Sequence, residues 1–334
     1  MKIGLIGAGR IGKVHAHTVA HYVDDAHLVA VADNVQSAAD ALAQKYHAEL
    51  ATQKYKDILK RKDIDAVIIA SPTDTHAKYI TEAAQVGKHI FCEKPIAADL
   101  PAIDAALTAV EKAGVKLQIG FNRRFDSNFS RIKKAIDSGE IGTLQLLHII
   151  SRDPSPPPIE YIKVSGGLFF DMTIHDFDMA RFLCGDVEEI YATGGVLVDR
   201  AIGEAGDIDT AIVTLKFKNG ALGTIDNSRR AVYGYDQRVE VFGSGGSAKC
   251  DNLYENYVQF NTSQAVKQDL PLHFFMERYT QSYQIEVQAF VDCILSDTPA
   301  PVSGGDGRVP VVMAMAAQKS FEENRPVQLR EIEA

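Results

Sequence analysis

The sequence predicts an α/β protein in two parts. The first is a parallel sheet flanked by helices, and the second is built on consecutive, mostly antiparallel strands. Three observations carry this expectation. Apolar runs alternate with helical periodicity over roughly the first 120 residues, the pattern of strands joined by crossover helices. A glycine-rich turn, Gly7-Ala8-Gly9-Arg10-Ile11-Gly12, stands between the first strand and the first helix. Beyond about residue 185, strand-like runs follow one another without helices, separated by glycine-bearing turns.

Residues 2–6 read as a short buried strand, and a helical pattern runs from the glycine turn to about residue 22. A second strand, 27–32, ends in Asp33. A GxGxxG turn by itself is a weak signal. Here it follows a strand, opens a helix and precedes an acid about 21 residues on, which is the context of a dinucleotide-binding Rossmann fold. Gly7 permits the tight turn, Gly9 lets the backbone approach a pyrophosphate, and Gly12 lets helix pack closely on strand. Free N–H groups at the helix start favour phosphate. Asp33 can accept from both hydroxyls of an adenosine ribose and repels a 2′-phosphate. Asn34 and Val35 supply no arginine to bind one, so NAD is expected over NADP.

The alternation continues through helices at 35–46 and 55–60, a strand at 65–70, a helix at 75–86 and a strand at 89–92. A helix at 101–113 and a strand at 116–119 complete it. Ligands bind beyond the carboxyl ends of such strands. Gly7, Asp33, Ser71, Thr73, Lys94 and Asn122 stand at strand ends and are expected to line one crevice. Spacing alone leaves Lys94 open between a solvated loop lysine and one aimed at cofactor or substrate. Arg123-Arg124 stands where a helix is expected to 138, and a strand follows at 144–152. The loop Asp153-Pro154-Ser155-Pro156-Pro157-Pro158 is too proline-rich for regular structure.

A helix over 168–184 puts Asp171, His175 and Asp178 at i, i+4 and i+7 on one face. A carboxylate beside the side chain that titrates near neutrality suits acid–base work. A satisfied core histidine and a metal site are the other readings of this stretch, and no further His or Cys nearby in sequence supports a metal. Strands are then expected at 187–199, 210–218, 221–228, 237–243 and 247–251, with Lys218-Asn219-Gly220 as a hairpin turn. Tyr283, Val287, Phe290 and Ile294 mark an amphipathic helix, and another covers 308–323. An apolar outer face on the second sheet would be buried against another copy of the chain.

The 334 residues suggest about two domains. The chain is 46% hydrophobic and 24% charged, an ordinary soluble composition. Its net charge of −9 argues against nucleic acid and anionic membranes as partners. No apolar run approaches the ~20 residues needed to span a bilayer, and the N-terminus lacks a signal-peptide pattern. Cys92, Cys184, Cys250 and Cys293 form no CxxC pair, which points to buried thiols in a reducing cytoplasm and not to zinc.

AGRIG at the N-terminus, EKP after the fifth strand and DMTIHDFDMARF in the second part occur together. In this the chain resembles the Gfo/Idh/MocA oxidoreductases over nearly its whole length. FNRRFD, ISRDP and YGYDQR make it similar to the inositol-oxidising branch of that family. The resemblance implies a Rossmann domain over 1–121, an α/β domain with a large open sheet over 122–334, and a homotetramer. It implies Lys94, Asp171 and His175 as the catalytic group, and Arg124, Asp153 and Tyr235 as polyol-binding residues. It implies an NAD site formed by Gly7, Gly9, Arg10, Ile11, Gly12, Asp33, Ser71, Thr73, His76, Glu93 and Lys94. The reaction it implies is oxidation of a cyclic polyol, myo-inositol to 2-keto-myo-inositol, with no metal. His175 is the best general base, since its reference pKa lies near neutrality. Scyllo-inositol or a hexose as substrate, and a non-catalytic NAD-binding sensor, are the alternatives. The intact Lys94, Asp171 and His175 set argues against the sensor. Residues 154–158 and 252–271 align least securely and bear on which stereoisomer fits.

Overall fold

The computed structural model describes residues 1–333, which fall into two compact units. One comprises Met1–Phe125 and Gln281–Val311, and the other 126–280 with the residues from Val312 onward. This differs from a single cut at 121/122, because a late segment returns to the first unit. The reason lies in its side chains. Val287, Phe290 and Val291 of the helix Thr280–Leu295 are fully buried and join one core with Ile3, Leu5, Val31, Ile68 and Phe91.

The first unit holds β1 (Lys2–Ile6), β2 (His27–Ala32), β3 (Leu50–Thr52), β4 (Ala66–Ile69), β5 (His89–Glu93) and β6 (Leu117–Gly120). They form one sheet in the order β3-β2-β1-β4-β5-β6, and every pairing is parallel. The strand order reverses between β1 and β4, the place where open α/β sheets bind ligands. Helices α1 (Arg10–His21), α2 (Gln36–Tyr46), α3 (Tyr55–Lys60), α4 (His76–Gln85) and α5 (Leu100–Ala113) are the crossovers. Strands covered on both faces read as continuous apolar runs, and Ala66, Val67, Ile68 and Ile69 are all fully buried. Helix α5 shows conventional ends. The Asp99 side chain accepts from the Ala102 N–H at 2.9 Å, and Gly114 closes the helix in the left-handed region.

The second unit is built on β7 (Leu144–Arg152), β8 (Val187–Gly195), β9 (Thr210–Phe217), β10 (Leu222–Ser228), β11 (Asp236–Gly243) and β12 (Gly246–Cys250). A small hairpin, β13 (Gln259–Asn261) with β14 (Val266–Gln268), lies in the segment 252–271, and β15 (Val327–Gln328) adds an edge. The seven-stranded sheet has the order β12-β11-β7-β10-β9-β8-β15. Only β7 and β10 run parallel, so the expected mostly antiparallel sheet is present. Its alternation is that of a half-covered sheet. Ala211, Val213, Leu215 and Phe217 face inward, while Ile212, Leu222, Leu146 and Phe242 stand exposed on the other face.

Three expected elements differ in detail. The helix expected to 138 is a 3₁₀ turn, Asn122–Phe125, followed by α6 (Ser127–Asp137). Asp126 separates the two by accepting the Asn128 and Phe129 N–H groups. After α7 (Ile159–Ile162), the helix expected from 168 opens with a π-helical turn, Phe169–Thr173, before α8 (Ile174–Cys184). The strand expected over 187–199 ends at Gly195, and a short helix Arg200–Glu204 follows. The cause is Asp209, whose carboxylate gathers the N–H groups of Leu197, Val198 and Asp199 at 2.8–3.0 Å and folds the chain away from the ladder. The short strands β3 and β15 carry no periodic signal. Among the described residues no helix is long and apolar enough to cross a membrane.

Candidate active site

The turn after β1 is shaped by two close approaches. Gly7 adopts φ +105°, and a Cβ there would lie 2.5 Å from the Ala70 carbonyl oxygen. A Cβ on Gly12 would lie 2.0 Å from the Gly7 carbonyl oxygen, so only glycine lets α1 seat on the turn. A Cβ on Gly9, by contrast, would meet nothing within 4 Å. Gly9 caps α1 without a side-chain hydrogen bond, and no acidic residue stands in the first turn. Arg10 and Ile11 open this helix, Arg10 being exposed. The first-turn N–H groups therefore face open space that suits a pyrophosphate.

Asp33 stands at the end of β2. Its Oδ2 accepts from the Ala8 N–H at 2.7 Å and its Oδ1 from the Val35 N–H at 2.8 Å. The carboxylate thus pins the glycine turn and keeps a lone pair on each oxygen for ribose hydroxyls. Asn34 and Val35 are exposed and offer no cation. These residues fit NAD.

The loops after β4 and β5 are joined by His76. Its ring is 1% exposed, with Nδ1 2.8 Å from the Pro95 carbonyl and Nε2 2.8 Å from the Ser71 carbonyl. Burial lowers its proton affinity, so the neutral ring donates to one carbonyl at a time. His76 thus acts as a clamp between the loops carrying Ser71 and Lys94. Ser71 and Thr75 share a 2.6 Å hydroxyl bond, and Thr73 begins the one-turn helix Thr73–Thr75. Glu93 also turns inward, and its Oε1 lies 2.6 Å from His15 Nε2, with the His15 side chain fully buried. Glu286 completes this cluster, the three ligand-type groups lying within 4.8 Å of one another. Neither Glu286 oxygen has a hydrogen-bond partner among the described residues. Burial first and the Glu93 charge second raise the Glu286 pKa well above its ordinary value of 4.5. Arg124 Nη2 pairs with Asp306 Oδ1 at 3.3 Å in the same unit.

In the second unit the π-helical turn carries Asp171, and the first turn of α8 carries His175. Between Asp171 and Ala180 only these two residues are partly exposed. Asp178, expected on the same face, is 1% exposed and belongs to the interior. Beside it Asp176 is fully buried and accepts from Asn227 Nδ2 at 2.8 Å, while Asn227 Oδ1 accepts from the Thr173 hydroxyl at 2.6 Å. This network fixes the helix on β10. Asp171 Oδ1 accepts from the Tyr161 hydroxyl at 2.8 Å and Oδ2 from Arg229 Nη1 at 3.1 Å. The pairing of Arg152 with both Asp236 and Ser228 brings the ends of β7, β10 and β11 together. Asp153, Arg229 and Tyr235 therefore emerge at one end of the sheet. Tyr235 is 6% exposed, its ring set edge-on to Phe274 and Tyr279.

The structure thus groups the expected cofactor residues and Lys94 at the strand ends of one unit. It groups Asp171, Asp153 and Tyr235 at the sheet end of the other. Tyr161, Asp207 and Arg229 were not anticipated. The doublet Arg229-Arg230 directly after a strand end was the available signal, since buried arginines need carboxylate partners.

The chain matches known proteins throughout. Residues 1–121 match the model described as an oxidoreductase family with an NAD-binding Rossmann fold, and 129–249 match the GFO/IDH/MocA C-terminal domain. The chain is 48% identical over 333 residues to the myo-inositol 2-dehydrogenase of Thermotoga maritima, covering 99% of each chain. It is 48% identical over 331 residues to the inositol 2-dehydrogenase of Rhizobium meliloti, covering 98% of this chain and 99% of that one. The scyllo-inositol dehydrogenase of Lactobacillus casei, solved with NAD(H) and scyllo-inositol bound, superposes with a TM-score of 0.93 at 31% identity over 99% of each chain. With both halves of its sequence matched and its two sheets ordered as described, the chain belongs to the Gfo/Idh/MocA oxidoreductase family.

Proposed function

We propose that this protein is an NAD-dependent inositol 2-dehydrogenase that oxidises myo-inositol to 2-keto-myo-inositol. The observation that carries this reading is full-length similarity at 48% identity to a myo-inositol 2-dehydrogenase, joined to a turn built for a dinucleotide. Relatives named for scyllo-inositol stand at 36% and 31% identity, below the 48% of the two inositol 2-dehydrogenases, which supports the myo isomer.

Bound NAD accepts the hydride from the secondary alcohol carbon. The residues of the chain orient that carbon and handle the proton. The first-turn N–H groups of α1 hold the pyrophosphate, and Asp33 holds the adenosine ribose. Arg10 and Ile11 border the pyrophosphate, and Ser71 and Thr73 line the cofactor crevice. His76 and Glu93 keep the loops in place from behind. His175 takes the hydroxyl proton as general base. Lys94, as an ammonium, stabilises charge developing on the substrate oxygen. Asp171 accepts a hydrogen bond from the polyol, and Arg124, Asp153 and Tyr235 bind its other hydroxyls. A neutral ring with a hydroxyl on every carbon suits this mixture of donors and acceptors.

The protein acts in the cytoplasm as a homotetramer, joined through the open face of its seven-stranded sheet. Exposed Leu146, Ile212, Leu222 and Phe242 on that face support the assembly, and four buried free thiols suit a reducing compartment. The test is NADH production, followed by absorbance, with myo-inositol, scyllo-inositol and a panel of hexoses, using NAD and NADP in turn. Turnover is expected with myo-inositol and NAD. A hexose preferred over both inositols would overturn the substrate, and no NADH from any polyol would overturn the activity.

A further inference from the structure

We propose that Arg229 is a positioning residue for the polyol reaction, holding Asp171 from beneath the site as an oriented hydrogen-bond acceptor. This inference rests on the substrate-binding role given to Asp171 above.

Arg229 follows β10, and its N–H donates to the Asp209 carbonyl at 2.8 Å. Its side chain is 1% exposed. A guanidinium stays charged in any protein, so one so deeply buried needs anions around it. It has two. Nη1 lies 3.1 Å from Asp171 Oδ2 and Nη2 lies 3.4 Å from Asp207 Oδ2. The two carboxylates keep some exposure, 15% and 10%, while the cation between them has almost none. Arg229 therefore reaches the polyol only through Asp171.

The rest of the arrangement fixes the geometry. The Tyr161 hydroxyl donates to Asp171 Oδ1 at 2.8 Å, so each carboxylate oxygen is tied to a different donor. These two ties set the plane of the carboxylate. Asp207 Oδ1 accepts the Leu168 N–H at 3.0 Å, at the residue that caps the π-helical turn. One guanidinium thus ties the carboxylate to the start of the segment that carries it. Removing the cation leaves Asp171 and Asp207 as unscreened like charges, and Asp171 turns away or takes up a proton. Either way the oriented acceptor is lost.

The experiment is steady-state kinetics on myo-inositol with NAD for R229M, R229K, Y161F, D171N and the double variant D171N/R229M, with thermal melting of each. R229M is expected to lower kcat by about 100-fold, the scale of losing one charged partner, with KM for NAD within about twofold of the parent. R229K is expected to lose about tenfold, because an ammonium cannot bridge two carboxylates as a planar fork does. Y161F, at a half-exposed position, is expected to lose about threefold to tenfold. The cycle separates positioning from general support. In the D171N background, R229M should cost less than about threefold more. Full additivity in the cycle overturns the proposal, as does near-parental kcat in folded R229M. If R229M does not fold, R229K and Y161F decide, and parental kcat in both overturns it. Turnover retained by D171N removes the role of Asp171 and this one with it. An inactive D171N beside an active R229M removes the role of Arg229 alone.

Discussion

Coenzyme preference should be set by Asp33, and its size can be worked from the site. The carboxylate stands at the end of β2, held by the Ala8 and Val35 N–H groups at 2.7 and 2.8 Å. A 2′-phosphate on the ribose would come within about 4 Å of it. At that distance a pair of unit charges repels by about 1 kcal/mol in water and about 4 kcal/mol at an effective dielectric constant of 20. A phosphate monoester carries roughly two charges near neutrality, which gives a range of about 2–8 kcal/mol. Asp33 is partly exposed and its charge is shared with two amides, so the low end applies, about 2–4 kcal/mol. That is a preference for NAD of about 30- to 700-fold. Asp33→Ser combined with Asn34→Arg removes the repulsion and adds a cation at an exposed neighbouring position. It should reverse the preference while lowering kcat/KM for NAD about tenfold or more, through lost charge-assisted hydrogen bonds to the ribose. The assay is kcat/KM for both coenzymes at two salt concentrations, added salt narrowing the preference of the parent protein. Equal use of NAD and NADP by the parent, or an unchanged preference in the double variant, would refute the reasoning.

Three further outcomes are expected. His175→Ala should lower kcat by about 10²- to 10⁴-fold, the usual range for general acid–base catalysis, while NAD binding by fluorescence titration persists. Lys94→Ala should lower kcat by at least about 100-fold, the scale of losing one preorganised donor; a raised KM with unchanged kcat would leave Lys94 an anchor only. Glu286→Gln should be more stable than the parent as pH rises. The raised pKa means that the folded parent keeps a proton the unfolded chain gives up above the ordinary value of 4.5. The parent's stability is fully present below that value and is lost by about 1.4 kcal/mol per pH unit until the folded value is passed. Denaturant titrations between pH 4 and pH 9 measure this, and parallel stability curves for the two proteins would show Glu286 to be ionised in the fold.

Much of the fold was legible because its signals are local. A strand, a glycine turn and a helix are contiguous, and the acid that reads the ribose stands at the end of the next strand. The alternating burial of β9 and the turn at Asn219-Gly220 could likewise be read from neighbouring residues. The differences arose where a distant side chain decided the backbone. Residues 196–199 follow directly on a strand, yet Asp209 draws three of their N–H groups onto one carboxylate and ends it. The helix Thr280–Leu295 was visible as amphipathic, but not that its apolar face completes the core of the first unit.

The site divides along the same line. Glycines and Asp33 announce themselves, because the chemistry of phosphate and ribose demands those residue types at those spacings, whereas the Glu93-Lys94-Pro95 loop stands out only through the family resemblance. The groups that hold them do not. His76 joins two loops through carbonyl oxygens, a task that leaves no mark on composition. Asp171 could be picked out by its distance from His175, but a sequence read as a uniform α-helix also places Asp178 on that face. Of the three, Asp171 and His175 are partly exposed while Asp178 is buried, a difference set by what packs on the helix and not by spacing. The partners of Asp171 come from residues 161 and 229, and no spacing along the chain links them. What links them is electrostatic necessity. A guanidinium at 1% exposure needs carboxylates to meet it, so finding Arg229 buried already points to Asp171 and Asp207 as its partners.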